Sequence, residues 1–159
     1  IRYFPRPWNS LVTLTGLWRL GRWIPGLRGI RPPAVDEIKE TVDTEATSGA
    51  CMLLRASALT ELNFLDESYA LHCEDLDLMY RLRQTGWRCL FVPAAKAIHY
   101  QGVSSRTRPY WVHWQKHRGM WRFYRKLLSA EYAAPVSGLV AIGIWSHYLI
   151  LLPLVWLKK

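Results

Sequence analysis

Residues 133–157 carry no charged side chain, and Lys158-Lys159 follow at once. No other stretch narrows the choice of fold as much. A helix over those residues is roughly 37 Å long, enough to cross a hydrocarbon core. Pro135, Gly138, Gly143, His147 and Pro153 interrupt the apolar run, so a re-entrant or in-plane amphipathic hairpin competes with a full span. Just before it, Tyr110, Trp114, His117, Trp121, Tyr124 and Leu128 recur at steps of 4, 3, 4, 3 and 4. At about 100° per residue they form one narrow stripe, which predicts a helix over 110–128. Lys116, Arg118, Arg122, Arg125 and Lys126 lie off that stripe. An aromatic face beside cations suits a membrane interface; a core-packing helix with a solvated basic back is the alternative.

The net charge of +9 is uneven. Residues 1–35 hold six Arg and no acid, residues 36–77 hold eleven of the twelve acids, and residues 78–159 hold thirteen Lys or Arg and only Glu131. Basic flanks favour an anionic partner, phospholipid or nucleic acid, over neutral surfaces. Nucleic acid is the weaker choice, because an uncharged tail is unexpected there. Nothing in residues 1–31 resembles the apolar core of a signal peptide. Cys51, Cys73 and Cys89 have no paired spacing, which predicts reduced thiols. Cys51 and Cys89 sit in apolar runs and are expected as small core residues.

Residues 1–33 read as irregular, with a helical turn set near 11–20. Residues 34–47 read as a polar surface loop. The apolar run 50–55 after Ser48-Gly49 predicts a buried strand. Ser57 is placed to cap a short helix to about Leu62. Residues 75–84 predict a helix closed by Gly86. Residues 88–92 predict a strand ended by Pro93, and 97–100 a second extended piece. This order suggests part of an α/β sheet.

Glu74-Asp75-Leu76-Asp77 opens that middle helix, and His99 follows the next strand. A carboxylate at a helix start has a fixed direction, and the helix dipole keeps it ionised. It can serve as a general base, although capping alone also places acids there. Glu74 and Asp77 can hold an acceptor or a neighbouring Arg. His99 can reach the same cleft as a metal ligand, or be a partly buried histidine with ordinary partners. The pairing suggests chemistry on a hydroxyl beside a metal-bound phosphate leaving group. Cys51, His72, Cys73, Cys89 and His99 lack zinc-site spacing. No Gly-rich phosphate loop, G-x-S-x-G or H-E-x-x-H occurs, which removes the commonest nucleotide-fold, hydrolase and protease readings.

Five motifs in order carry a resemblance. They are S-G-A-C-M-L-L-R-A-S-A-L from Ser48, F-L-D-E from Phe64, E-D-L-D-L-x-x-R-L-R-x-x-G-W from Glu74, V-P-x-A from Val92 and H-x-x-G-x-S from His99. Together they resemble the C-terminal half of family-2 inverting glycosyltransferases, most closely the rhamnosyltransferase-type members that build O-antigen, lipopolysaccharide and other cell-surface polysaccharides. The resemblance implies an α/β fold: a partial GT-A (Rossmann-like) domain with C-terminal amphipathic and apolar helices. It implies Asp75 as catalytic base, His99 as a ligand to Mg²⁺ or Mn²⁺, and Ser48, Gly49 and Ala50 bordering a donor and acceptor cleft with Glu74 and Asp77. It implies a nucleotide-sugar donor such as dTDP-rhamnose, a polyprenyl-diphosphate-linked glycan acceptor, and work on the cytoplasmic face of the bacterial inner membrane, with membrane lipids as partners and no nucleic acid.

The family's metal-binding D-x-D is expected in an earlier half. Here the only D-x-D is Asp75–Asp77, so the chain reads as truncated and inactive alone. The expected segments are a connection (1–47), the C-terminal half of the catalytic domain (48–109), a basic aromatic helix (110–131) and an apolar membrane-associated tail (132–159). A non-catalytic membrane-bound interaction module is the alternative.

Overall fold

The structure is a computed structural model that describes residues 1–31, 37–100 and 107–157. It divides into two units, Ile1–Leu65 with Leu78–Ala97, and Asp66–Asp77 with Ile98–Lys159.

The first unit begins with α1 (Pro7–Leu14). Pro7 starts this helix, where its missing N–H is no loss. Gly16, at φ +76°, breaks it before a 3-10 turn over Leu17–Leu20. The predicted helical turn is therefore two pieces, split where glycine alone turns left-handed without strain. The segment expected as a polar loop contributes β1 (Val42–Asp43) and buries Thr44 and Ala46. β1 pairs antiparallel with β2 (Leu90–Phe91), Val42 opposite Phe91 and Asp43 opposite Leu90. Among the described residues this is the one ladder of named strands, a two-stranded ribbon among helices that is consistent with part of an α/β domain.

The buried strand over 50–55 is corrected outright. The segment is irregular, with Cys51 exposed and Leu53 fully so. An apolar run becomes a strand only where a neighbour takes its backbone hydrogen bonds, and among the described residues no named strand pairs with this one. The extended piece at 97–100 likewise joins no ladder, and Ile98 and Tyr100 are exposed. Cys89 is half-buried rather than core, while Cys73 is buried.

α2 (Ala56–Glu61) forms as expected, but Arg55 occupies its N-cap and Ser57 does not cap it. α3 (Glu74–Gln84) ends as its sequence requires. Gly86 adopts φ +85°, Gly86 N–H donates to the Arg83 carbonyl, and Trp87 N–H donates to the Leu82 carbonyl. This is the paired closure that a left-handed glycine permits. Trp87 then packs on Ala58, Leu78 and Leu82, the buried cluster between α2 and α3. The R-L-R of the motif is structural. Arg81 donates to the Leu62 and Phe64 carbonyls at 2.8 and 2.9 Å, fixing the left-handed pair Asn63-Phe64. Arg83 pairs with Asp43 at 2.7 Å and so ties α3 to β1.

In the second unit α4 (Pro109–Phe123) widens into a π-helical turn over Tyr124–Leu128, then a 3-10 turn leads to α5 (Ala134–Leu157). α5 is long and apolar enough to cross a membrane, and none of its residues is buried. Pro153 lies inside it without ending it. α4 and α5 pack through rings. Trp114 meets Trp145, and Tyr148 stacks on His113 with centroids 4.7 Å apart. Of the predicted stripe, His117, Tyr124 and Leu128 are buried whereas Trp114 stays exposed.

Candidate functional site

The approach to α3 is strained. His72 and Cys73 adopt φ of +64° and +69°. Two successive non-glycine residues in this region cost roughly 1–2 kcal/mol each. Gly119 of α4 comes so close that a Cβ there would stand 2.7 Å from the His72 carbonyl oxygen. The turn thus sets the direction of Glu74 and Asp75.

Asp75 is half-buried in the first turn of α3, where its Oδ1 accepts the Leu76 N–H at 2.8 Å. Glu74 is also half-buried, and among the described residues its Oε2 accepts no hydrogen bond. Asp77, expected to border the cleft, is fully buried. Its Oδ1 accepts from Lys126 Nζ at 2.6 Å and from the Tyr69 hydroxyl at 3.2 Å. Two positions along a helix turn the side chain by about 200°, enough to send neighbouring motif acids to opposite environments.

Lys126 also reaches Asp66 Oδ2 at 2.8 Å, and Arg122 reaches the same oxygen at 3.3 Å. Burial alone would raise the Asp66 carboxyl. Hydrogen bonds from Lys126, Ser68 and Arg122 outweigh it and hold the group well below the usual carboxylate range. Burial, then the Asp77 charge, push the Tyr69 phenol far up, so it remains a donor. Lys126 lies in the π-helical turn, a feature that re-aims side chains by one position.

Between α4 and α5, the His113 Nε2–H donates to the Tyr148 carbonyl at 2.9 Å and the His117 Nδ1–H donates to the His113 carbonyl at 2.8 Å. These bonds leave His117 Nε2 to accept the His147 Nδ1–H at 3.0 Å. Burial pushes His117 down to about 4, helped by the charges of His113, His147 and Lys116. The folded state therefore binds fewer protons than the unfolded chain between pH 6.5 and about 4. Stability is full above that window and falls as pH drops through it. Asp66 has the same sign at lower pH: its contribution is present above 3.8 and lost below. Thermal melts of the chain in detergent are expected to show both declines, and His117→Gln to lessen the upper one. An unchanged slope between pH 6.5 and 4 in that variant would discard the assignment.

His99 is exposed in an irregular segment of the second unit, and Gly102 and Ser104 of its motif lie outside the described residues. Ser48, Gly49 and Ala50 belong to the first unit, where Ser48 Oγ accepts the Ala50 N–H at 3.3 Å. Two open cavities lie in the first unit. One, of about 280 Å³, is lined by Tyr3, Arg6, Trp8 and neighbours; the other, of about 550 Å³, by Ile1, Val42, Arg83 and neighbours. Neither includes Asp75 or His99. Among the described residues no three His, Cys, Asp or Glu side chains gather to hold a metal. Mg²⁺ and Mn²⁺ take oxygen-rich shells, so the described residues do not fit a metal centre of their own.

Sequence reasoning missed Tyr69, Asp66, Arg122 and Lys126. A signal existed: Arg122 and Lys126 are four apart on the predicted helix, hence on one face, where they can share a carboxylate.

The family model "Glycosyl transferase family group 2" matches residues 41–158. An N-acetylglucosaminyl-diphospho-decaprenol L-rhamnosyltransferase of Mycobacterium tuberculosis is 30% identical over 105 residues, covering 65% of this chain and 34% of that protein. Rhamnosyltransferase WbbL of Escherichia coli K12 is 35% identical over 82 residues, covering 52% of this chain and 31% of that protein. The chain thus spans about a third of the length of these curated relatives. No solved structure matches it.

Proposed function

The chain belongs to glycosyl transferase family group 2 and is rhamnosyltransferase-like; from that premise we propose that it supplies the acceptor-activating part of an inverting rhamnosyl transfer. The observation that carries this reading is the half-buried Asp75 carboxylate, held in the first turn of α3 by the strained turn before it. Asp75 takes the proton from an acceptor hydroxyl. The oxygen then bonds to the anomeric carbon as the bond from that carbon to the nucleoside diphosphate breaks, and the leaving diphosphate carries away the negative charge. Glu74 Oε2, a buried acceptor without a donor among the described residues, suits a second hydroxyl of the acceptor sugar and would orient it.

The Mycobacterium relative's name specifies a decaprenol-linked acceptor. By analogy the acceptor here is a polyprenyl-diphosphate-linked glycan and the donor dTDP-rhamnose. The length and apolar composition of α5 support a membrane setting for this chemistry, and in this reading that setting is the cytoplasmic face of the inner membrane. A divalent ion would be held by donors other than the described side chains. A non-catalytic membrane module would leave the match over residues 41–158 without a cause.

The test is a chimera. The segment of the Mycobacterium relative that this chain matches is exchanged for the residues of this chain, and rhamnosyl transfer to N-acetylglucosaminyl-diphospho-decaprenol is measured in membranes. Transfer above that of the deleted enzyme is expected. A chimera that is folded and binds the nucleotide-sugar, yet transfers nothing, would refute the proposal.

A further inference from the structure

The polarity of α1 and the 3-10 turn after it is inverted. Val12 alone in α1 is buried, while Leu11, Leu14, Trp18, Leu20, Trp23 and Ile24 are exposed, Trp23 by 72%. This exposure is held by structure. Trp8 Nε1–H donates to the Gly26 carbonyl at 2.8 Å, and the Ile30 N–H donates to Thr13 Oγ1 at 2.9 Å. The return is close: a Cβ on Gly21 would stand 2.5 Å from the Leu27 carbonyl oxygen, and one on Gly29 would stand 2.9 Å from Thr13 Oγ1. A fixed apolar patch of this kind on a folded surface marks an interaction site.

The charge pattern selects the occupant. Arg19 lies over the Trp18 ring at 5.7 Å and Arg22 over the Trp23 ring at 4.9 Å. Residues 1–35 hold no Asp or Glu, so nothing there repels an anionic surface. Trp and Arg also occur at protein interfaces, but cations without any acid over residues 1–35 complement an anionic surface. A bilayer interface takes Trp at headgroup depth and lets Arg reach the phosphates around it. We infer that residues 8–24 form a second membrane-docking surface, which lies on an anionic phospholipid bilayer with its Trp and Leu side chains inserted and Arg19 and Arg22 on the phosphates. It is separate from α5 and does not rest on the glycosyl-transfer reading.

The experiment uses the full chain on phosphatidylglycerol-containing vesicles that carry a trace of diazirine phospholipid, with cross-linked residues located by mass spectrometry. Label is expected within 8–24 as well as within α5. In the exposed double variant R19Q/R22Q, or in 1 M salt, label within 8–24 is expected to fall about tenfold or more while that in α5 stays constant. Label in α5 with none in 8–24 would assign the patch to a protein partner and overturn the inference. So would label in 8–24 that ignores charge and salt, and so would no label in either segment.

Discussion

Asp75→Asn, made in the active chimera, is expected to lower kcat by about a thousandfold, within the range set by losing a positioned general base. Asparagine keeps the shape and an oxygen to accept the Leu76 N–H, so α3 should persist. It cannot take a proton. The acceptor hydroxyl would have to attack while still protonated, and the missing stabilisation appears in the transition state rather than in binding. Nucleotide-sugar affinity should therefore change little, with the loss concentrated in kcat. Glu74 is the contrast: Glu74→Gln keeps an acceptor oxygen and should alter KM for the acceptor more than kcat. Transfer by Asp75→Asn at near wild-type kcat would remove Asp75 from the chemistry.

The second large effect concerns stability. Lys126→Met removes the cation that faces Asp77, whose side chain is 0% exposed. Removing one partner of a buried pair costs about 3–5 kcal/mol, because a charge is left in a medium that cannot solvate it. Lys126 is itself 33% exposed, and the Tyr69 hydroxyl still donates to Asp77, so the lower end of that range is expected. Asp66 keeps Arg122 and Ser68 and should suffer less. Denaturant titration in detergent reads the change. The double variant Asp77→Leu with Lys126→Met should recover most of the loss, since an apolar pair needs no solvation. If Lys126→Met alone is neutral, the pair does not hold the second unit together. The same result would separate two acids that the motif presents side by side: Asp75 would stand as a reacting group and Asp77 as a structural one.

The helices were legible because each carries its own instructions. The period of Tyr110, His117, Tyr124 and Leu128 predicts α4, and Gly86-Trp87 predicts the end of α3. These depend on neighbours within a turn or two. The strands were legible only in part: β2 (Leu90–Phe91) lies inside the strand predicted over 88–92, but its partner strand was not foreseen. Residues 50–55 have strand-like composition, yet they lie irregular with Cys51 and Leu53 exposed, while Val42–Asp43, in a segment expected as a loop, pairs with Leu90–Phe91. Strand formation is decided by whether a distant segment arrives to take the hydrogen bonds. The π-helical turn that aims Lys126 was equally hidden, because an extra residue per turn leaves no mark on the apolar period.

By itself, the sequence determined the family, through five motifs whose order a single domain must preserve, and the two C-terminal helices, through a charge-free run and an aromatic stripe. Only the tertiary structure decided which acids are paired. Asp77 and Asp66 meet Lys126 across more than forty intervening residues, at 2.6 and 2.8 Å. The physical reason is range: backbone hydrogen bonding and side-chain periodicity act over a few residues and are written locally, whereas charge pairing and burial depend on where the chain returns to itself.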